Sequence, residues 1–129
     1  PWGLRNIDTD SLFTAEDLAL MLQEIALLSR GILSASGAAA TLDLAASKAR
    51  LTIGVRGALK SFTVMYRGSR IDRFDVVKGL NGLLAEAESP RRFGLFDTKG
   101  NDFEVACLLP EQWEKIEKEG FVPLLQEPT

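Results

Sequence analysis

The chain has no histidine and one cysteine, Cys107. The first absence removes the commonest general base, the usual imidazole ligand for zinc, and the Ser-His and Cys-His pairs that activate nucleophiles. The second removes any internal disulfide framework and fits a reducing compartment, so a cytoplasmic location is expected. Long hydrophobic runs are also missing: none approaches the ~20 residues that a helix needs to cross a bilayer, so no membrane association is expected. Walker-type and dinucleotide-binding glycine patterns are absent, as is the twelve-residue spacing of a calcium loop. The sequence therefore offers no catalytic residue, no metal site and no cofactor, and leans away from an enzyme.

What is present is an ordinary globular composition, 46% hydrophobic and 26% charged in 129 residues. That length suits a single domain over 1–129, large enough to bury roughly two-thirds of its unfolded surface. Pro1 opens the chain where an initiator Met would stand, which fits a processed or excised terminus. The polar, turn-forming stretch after it is read as an N-terminal arm over 1–12, and 126–129 as a frayed tail.

Net charge is only −3, but it is laid unevenly. Residues 1–47 carry two basic and six acidic groups, residues 48–100 eleven and five, and residues 101–129 two and seven. A basic middle is flanked by two acidic ends.

Periodicity supplies the elements. Thr14 is a good N-cap, Glu16 and Asp17 place negative charge in the first turn, and Phe13 with Leu18 has the spacing of a hydrophobic staple. Leu18, Met21, Leu22, Ile25 and Leu28 recur at helical spacing, which predicts a helix over 14–30 stopped by Gly31. Leu20 and Leu27 widen its apolar surface beyond one stripe, so the helix is either clamped between two surfaces or part of an interface. The Ala- and Ser-rich residues 33–47 read as a loop followed by a short helical piece through 42–46.

Leu51, Ile53 and Val55, and then Phe62, Val64 and Tyr66, alternate with polar residues at the period of half-buried strands. Gly57-Ala58 between them suits a type II′ turn, which would set Ile53 opposite Phe62, Leu51 opposite Val64 and Thr52 opposite Thr63. Ser69 with Asp72 makes a capping pair for a second helix carrying Phe74, Val77, Leu80, Leu84 and Ala87 and ending at Ser89-Pro90. Gly79 and Gly82 inside it point to close packing on a sheet or to a break near Asn81. A second hairpin pairs Phe93 and Leu95 with Phe103, Val105 and Cys107 across a turn at 97–100, and Pro110 opens a third helix with Trp113 and Ile116 inward. The expectation is an α+β fold in the order α-ββ-α-ββ-α: an antiparallel sheet of four or five strands, built from two hairpins, with helices mainly on one face.

Three groups of residues carry interaction chemistry. Arg67, Arg70 and Arg73 lie around Gly68-Ser69 where a helix begins, a setting that suits an anion unless the guanidinium groups pair with Asp72, Asp75 or the acidic termini. Arg50 and Arg56 share a strand face with Thr52 and Thr63, which would suit nucleic acid except that Phe62 and Tyr66, the stacking rings it needs, fall on the opposite face. Leu20 and Leu27, with Phe121 and Leu124 of the apolar C-terminal segment, form a surface for a protein partner or for self-association. Cys107 reads as a buried structural thiol. The leading expectation is a non-enzymatic protein-interaction or assembly module, oligomeric, with nucleic-acid or anionic-ligand binding by residues 48–100 as the alternative. The order of elements is similar to that of small dimeric secretion chaperones and of longin- or roadblock-like adaptors, a resemblance of arrangement without a shared motif.

Overall fold

A computed structural model describes residues 5–8, 12, 14–67, 70–96 and 102–118. The α+β class holds, and among the described residues seven antiparallel strands divide between two sheets. The four-stranded sheet runs in the order β2 (Leu33–Asp43), β3 (Lys48–Val55), β4 (Ala58–Arg67) and β5 (Arg70–Ile71). The three-stranded sheet runs β1 (Arg5–Asp8), β7 (Asp102–Leu108), β6 (Arg92–Phe96). The helices are α1 (Ala15–Leu27), α2 (Arg73–Glu86) and α3 (Pro110–Lys118). Within the segment read as an arm, Arg5–Asp8 is strand, paired through Ile7↔Phe103 to β7.

Helix α1 starts as its sequence dictates. Thr14 Oγ1 accepts from Asp17 N, and the Asp17 carboxylate accepts from Thr14 N in return, a reciprocal capping box. Phe13 of the expected staple lies outside the described residues. The helix stops three residues short of the predicted end, and Ser29 is the reason. Its fully buried hydroxyl donates to Ala26 O (2.7 Å) and accepts from Leu33 N (2.9 Å), turning the chain into β2 while Arg30 and Gly31 take left-handed φ of 56° and 92°. Leu18, Met21, Leu22, Ile25 and Ala26 face the core.

The helical piece expected over 42–46 does not form. Residues 33–43 are a strand whose part 39–43 pairs with 48–52 of β3, so cross-strand pairing overrides the weak strand propensity of alanine. A bulge separates Ser34 from Ala39, and Gly37 (φ 85°) within it approaches the Leu59 side chain so closely that a Cβ would come within 2.7 Å of it.

The β3–β4 hairpin forms with the predicted faces but not the predicted register. The turn is Arg56-Gly57, both at positive φ (49° and 85°), a type I′ connection closed by Val55↔Ala58. Leu51 therefore meets Phe62, Ile53 meets Lys60, Thr52 meets Ser61 and Ala49 meets Val64. The two registers differ by two residues, which leaves every side chain on the same face, so alternation alone does not distinguish them. Turn chemistry decides: the I′ geometry has the twist of its strands and places glycine at the second left-handed position.

Asp72 caps α2, its Oδ1 accepting from Phe74 N and Asp75 N, while Ser69 of the expected capping pair lies outside the described residues. Phe74 faces outward at 42% exposure, and Val76, Val77, Leu80, Leu83 and Leu84 make the buried face instead. The helix is unbroken. Gly79 lets the Phe62 ring of β4 rest on its backbone, where any Cβ would overlap the ring. Asn81 is fully buried and brackets Phe93 of β6: Nδ2 donates to Phe93 O (3.0 Å) and Oδ1 accepts from Phe93 N (2.6 Å). Helix α2 thereby touches both sheets.

The second hairpin keeps its predicted partners, Phe93↔Cys107 and Leu95↔Val105, and its turn at 97–100 lies outside the described residues. Leu95, Phe103 and Val105 join the common core, whereas Ala106, Leu108 and Phe96 face α3 on the other side of this sheet. There Trp113 stacks at a tilt on Phe96 (5.8 Å) and its indole N–H donates to Arg92 O (3.0 Å). Glu114 and Lys118 form an ion pair (3.5 Å), exposed on α3.

The two glycines of α2 separate packing from propensity. Gly79→Ala is expected to destabilise by about 1–3 kcal/mol through overpacking against Phe62. Gly82→Ala, with nothing within 4 Å of its added carbon, is expected to stabilise by up to about 1 kcal/mol. Urea unfolding of the two variants checks the opposite signs.

Candidate functional site

Three surfaces inherit the sequence expectations. The first is the outer stripe of α1. Glu16, Leu20, Glu24 and Leu27 succeed one another along it, and the leucines are 52% and 62% exposed. They are seven residues apart, about 10 Å along the axis, and each stands at the mouth of a groove. Leu20 borders a groove of about 310 Å³ between α1 and β1, floored by Ile7, Leu12 and Met21 and rimmed by Asn6, Asp17 and Glu24. Leu27 borders one of about 150 Å³ lined by Leu28, Arg30, Arg91, Cys107 and Leu108. Phe121 and Leu124, the other members of the expected surface, lie outside the described residues.

The second surface is the outer face of the four-stranded sheet. Side chains of Lys48, Arg50 and Thr52 on β3 alternate outward, and their partners Met65, Thr63 and Ser61 on β4 lie beside them. The Thr52 and Ser61 hydroxyls hydrogen-bond at 2.8 Å. Arg67 and Arg70, which end β4 and begin β5, are direct partners and both exposed. Arg73 does not join them. It is half-buried at the start of α2, where its Nη1 reaches Asp102 O (3.5 Å) and its guanidinium lies 5.6 Å from the Phe74 ring. The main-chain donors at that helix start are held by Asp72, so the expected anion position there is occupied by the protein's own carboxylate.

Among the described residues, neither Arg67 nor Arg70 pairs with Asp72 or Asp75. Asp72 serves as the cap, and Asp75 Oδ2 accepts from Met65 N (3.0 Å). A cation group comprising Lys48, Arg50, Arg67 and Arg70 results. Arg56, expected on the strand face of Arg50, sits in the turn at positive φ instead, and a two-residue strand such as β5 leaves no periodicity to read. Phe62 and Tyr66 face inward as expected, and Tyr66 is fully buried with its hydroxyl donating to Leu12 O (2.6 Å). Burial first, and Asp17 second, hold that hydroxyl above its usual pKa.

The third place is Cys107, 4% exposed at the base of the smaller groove. Burial pushes its thiol up to about 12, against the opposing pull of Arg91 and Arg92. A thiol held neutral in this way is a packing group, not a nucleophile. Among the described residues no three of Cys, Asp and Glu converge to hold a metal ion, and no helix is long and apolar enough to cross a membrane.

The Cys107 thiol has a pH consequence. Its folded pKa lies above that of an unfolded cysteine (~8.5), so its contribution to stability is complete below that value and is lost as pH rises toward about 12. Cys107→Ala should therefore lose stability less steeply than wild type between pH 9 and 11, measured by urea midpoints at each pH. Searches of protein-family models, curated proteins and solved structures each return no match to this chain, so its function is argued from these surfaces alone.

Proposed function

We propose that the chain is a non-enzymatic protein-interaction or assembly module that self-associates or binds a partner protein through the outer stripe of α1. The observation that carries the reading is the exposure of Leu20 and Leu27 on a helix whose opposite side is built into the core. An isolated surface leucine is ordinary, but two on one stripe, one beside a groove floored by Ile7, Leu12 and Met21 and the other beside a smaller groove of mixed lining that includes Leu28, Leu108, Arg30 and Arg91, form a patch of the kind that marks interaction sites. Glu16 and Glu24 between them would fix register and exclude wrong partners by charge. The grooves offer pockets in which a partner's apolar anchor side chains would be desolvated, and such anchors supply most of the free energy of association.

Light scattering over a concentration series tests this. Wild type is expected to exceed the 14.1 kDa of one chain, as an oligomer or with bound protein, and Leu20→Asp/Leu27→Asp to return to single-chain mass with unchanged helical circular dichroism. A wild-type protein that stays strictly monomeric and copurifies with no partner would overturn the reading.

A further inference from the structure

The outer face of the four-stranded sheet points to a second binding surface, and we propose that it receives an extended, carboxylate-rich segment of a partner protein. The strands of this sheet place Lys48, Arg50, Arg67 and Arg70 on the exposed side, and the only carboxylate they bear is Asp43. Asp43 turns Oδ1 to Ala46 N (3.1 Å), closing the β2–β3 turn. The carboxylates next in sequence, Asp72 and Asp75, are engaged by main-chain N–H groups.

Within the group, Arg67 and Arg70 are cross-strand partners. Like charges directly opposite on neighbouring strands repel and destabilise the pairing. A carboxylate brought between them gains attraction from both and removes that repulsion. Lys48 and Arg50 extend the positive field along β3, on the side of Met65 away from β5. Met65 (47% exposed) and Leu59 (67%) supply apolar contact within the same face. A charged face of this kind matches an extended acidic chain whose apolar side chains alternate with its carboxylates.

The same face is poorly made for single-stranded nucleic acid, whose bases need rings to stack on. The aromatic residues of these strands, Phe62 and Tyr66, belong to the inner face. Phe74, the exposed aromatic ring among the described residues, already carries the Arg73 guanidinium. This inference does not depend on the α1 surface.

Fluorescence anisotropy at low ionic strength, with labelled decaglutamate and a labelled oligothymidylate of equal length as probes, decides the matter. Decaglutamate is expected to bind, to be released by salt, and to lose affinity about tenfold in Arg67→Glu/Arg70→Glu and comparably in Lys48→Glu/Arg50→Glu. Lys78→Glu/Lys115→Glu, which changes net charge equally at exposed sites on α2 and α3, should bind within about twofold of wild type. Thermal melting of each variant establishes that the fold is kept, and the two sheet-face pairs guard against one of them failing to fold. Absence of decaglutamate binding, or an equal loss in the control pair, would overturn the proposal. Tighter binding of oligothymidylate than of decaglutamate, abolished by the sheet-face variants, would replace it with a nucleic-acid surface.

Discussion

The side-chain amide of Asn81 is the joint on which the molecule is assembled. Its oxygen and nitrogen take both main-chain groups of Phe93, the pairing that another strand would otherwise offer, and it does so inside the core, where water cannot substitute. Removing it would leave a buried N–H and a buried C=O unpaired, each at about 1–3 kcal/mol. Two residues earlier, and so about 200° around the helix, Gly79 accepts the Phe62 ring. One helix thus holds β6 of the three-stranded sheet by a polar bracket and β4 of the four-stranded sheet by close approach. The two sheets share one core, to which α1 also contributes, and α2 is fastened to both.

That arrangement explains which features were legible in the sequence. Faces were legible, because alternation in β3, β4, β6 and β7 and the spacing in α1 report burial directly. Thr14 as a cap, Pro110 as a helix start and the inward Cys107 were legible for the same local reason. Register was not, since the Gly57-Ala58 and Arg56-Gly57 turns place the same side chains on the same faces. Strand β2 was hidden because alanine prefers helix, and only the neighbouring β3 makes 39–43 extended. Asn81 gave a signal that could be read as a break, because its meaning depends on Phe93, twelve residues away in sequence and on another element.

The functional surfaces divide along the same line. Leu20 and Leu27 could be chosen from a helical wheel, and the structure adds the grooves beside them. Of the three arginines grouped by sequence, two come together and the third turns toward β7. The short strand β5 brings Arg70 opposite Arg67, and the hairpin brings Lys48 and Arg50 onto the same side. Proximity in sequence was therefore a poor guide to charge clustering, and strand order a good one.

The irregularity in β2 has a bearing on how this protein survives in a crowded solution. Among the described residues, β2 (Leu33–Asp43) is an edge strand with no proline and no charge before its last residue, Asp43, a composition by which one sheet recruits another. The bulge between Ser34 and Ala39, folded against Leu59 at Gly37, breaks the edge into two short pieces. An incoming strand would find only a few consecutive main-chain groups in line before the chain bends away. The kink limits pairing at this edge as a lysine or proline does on others.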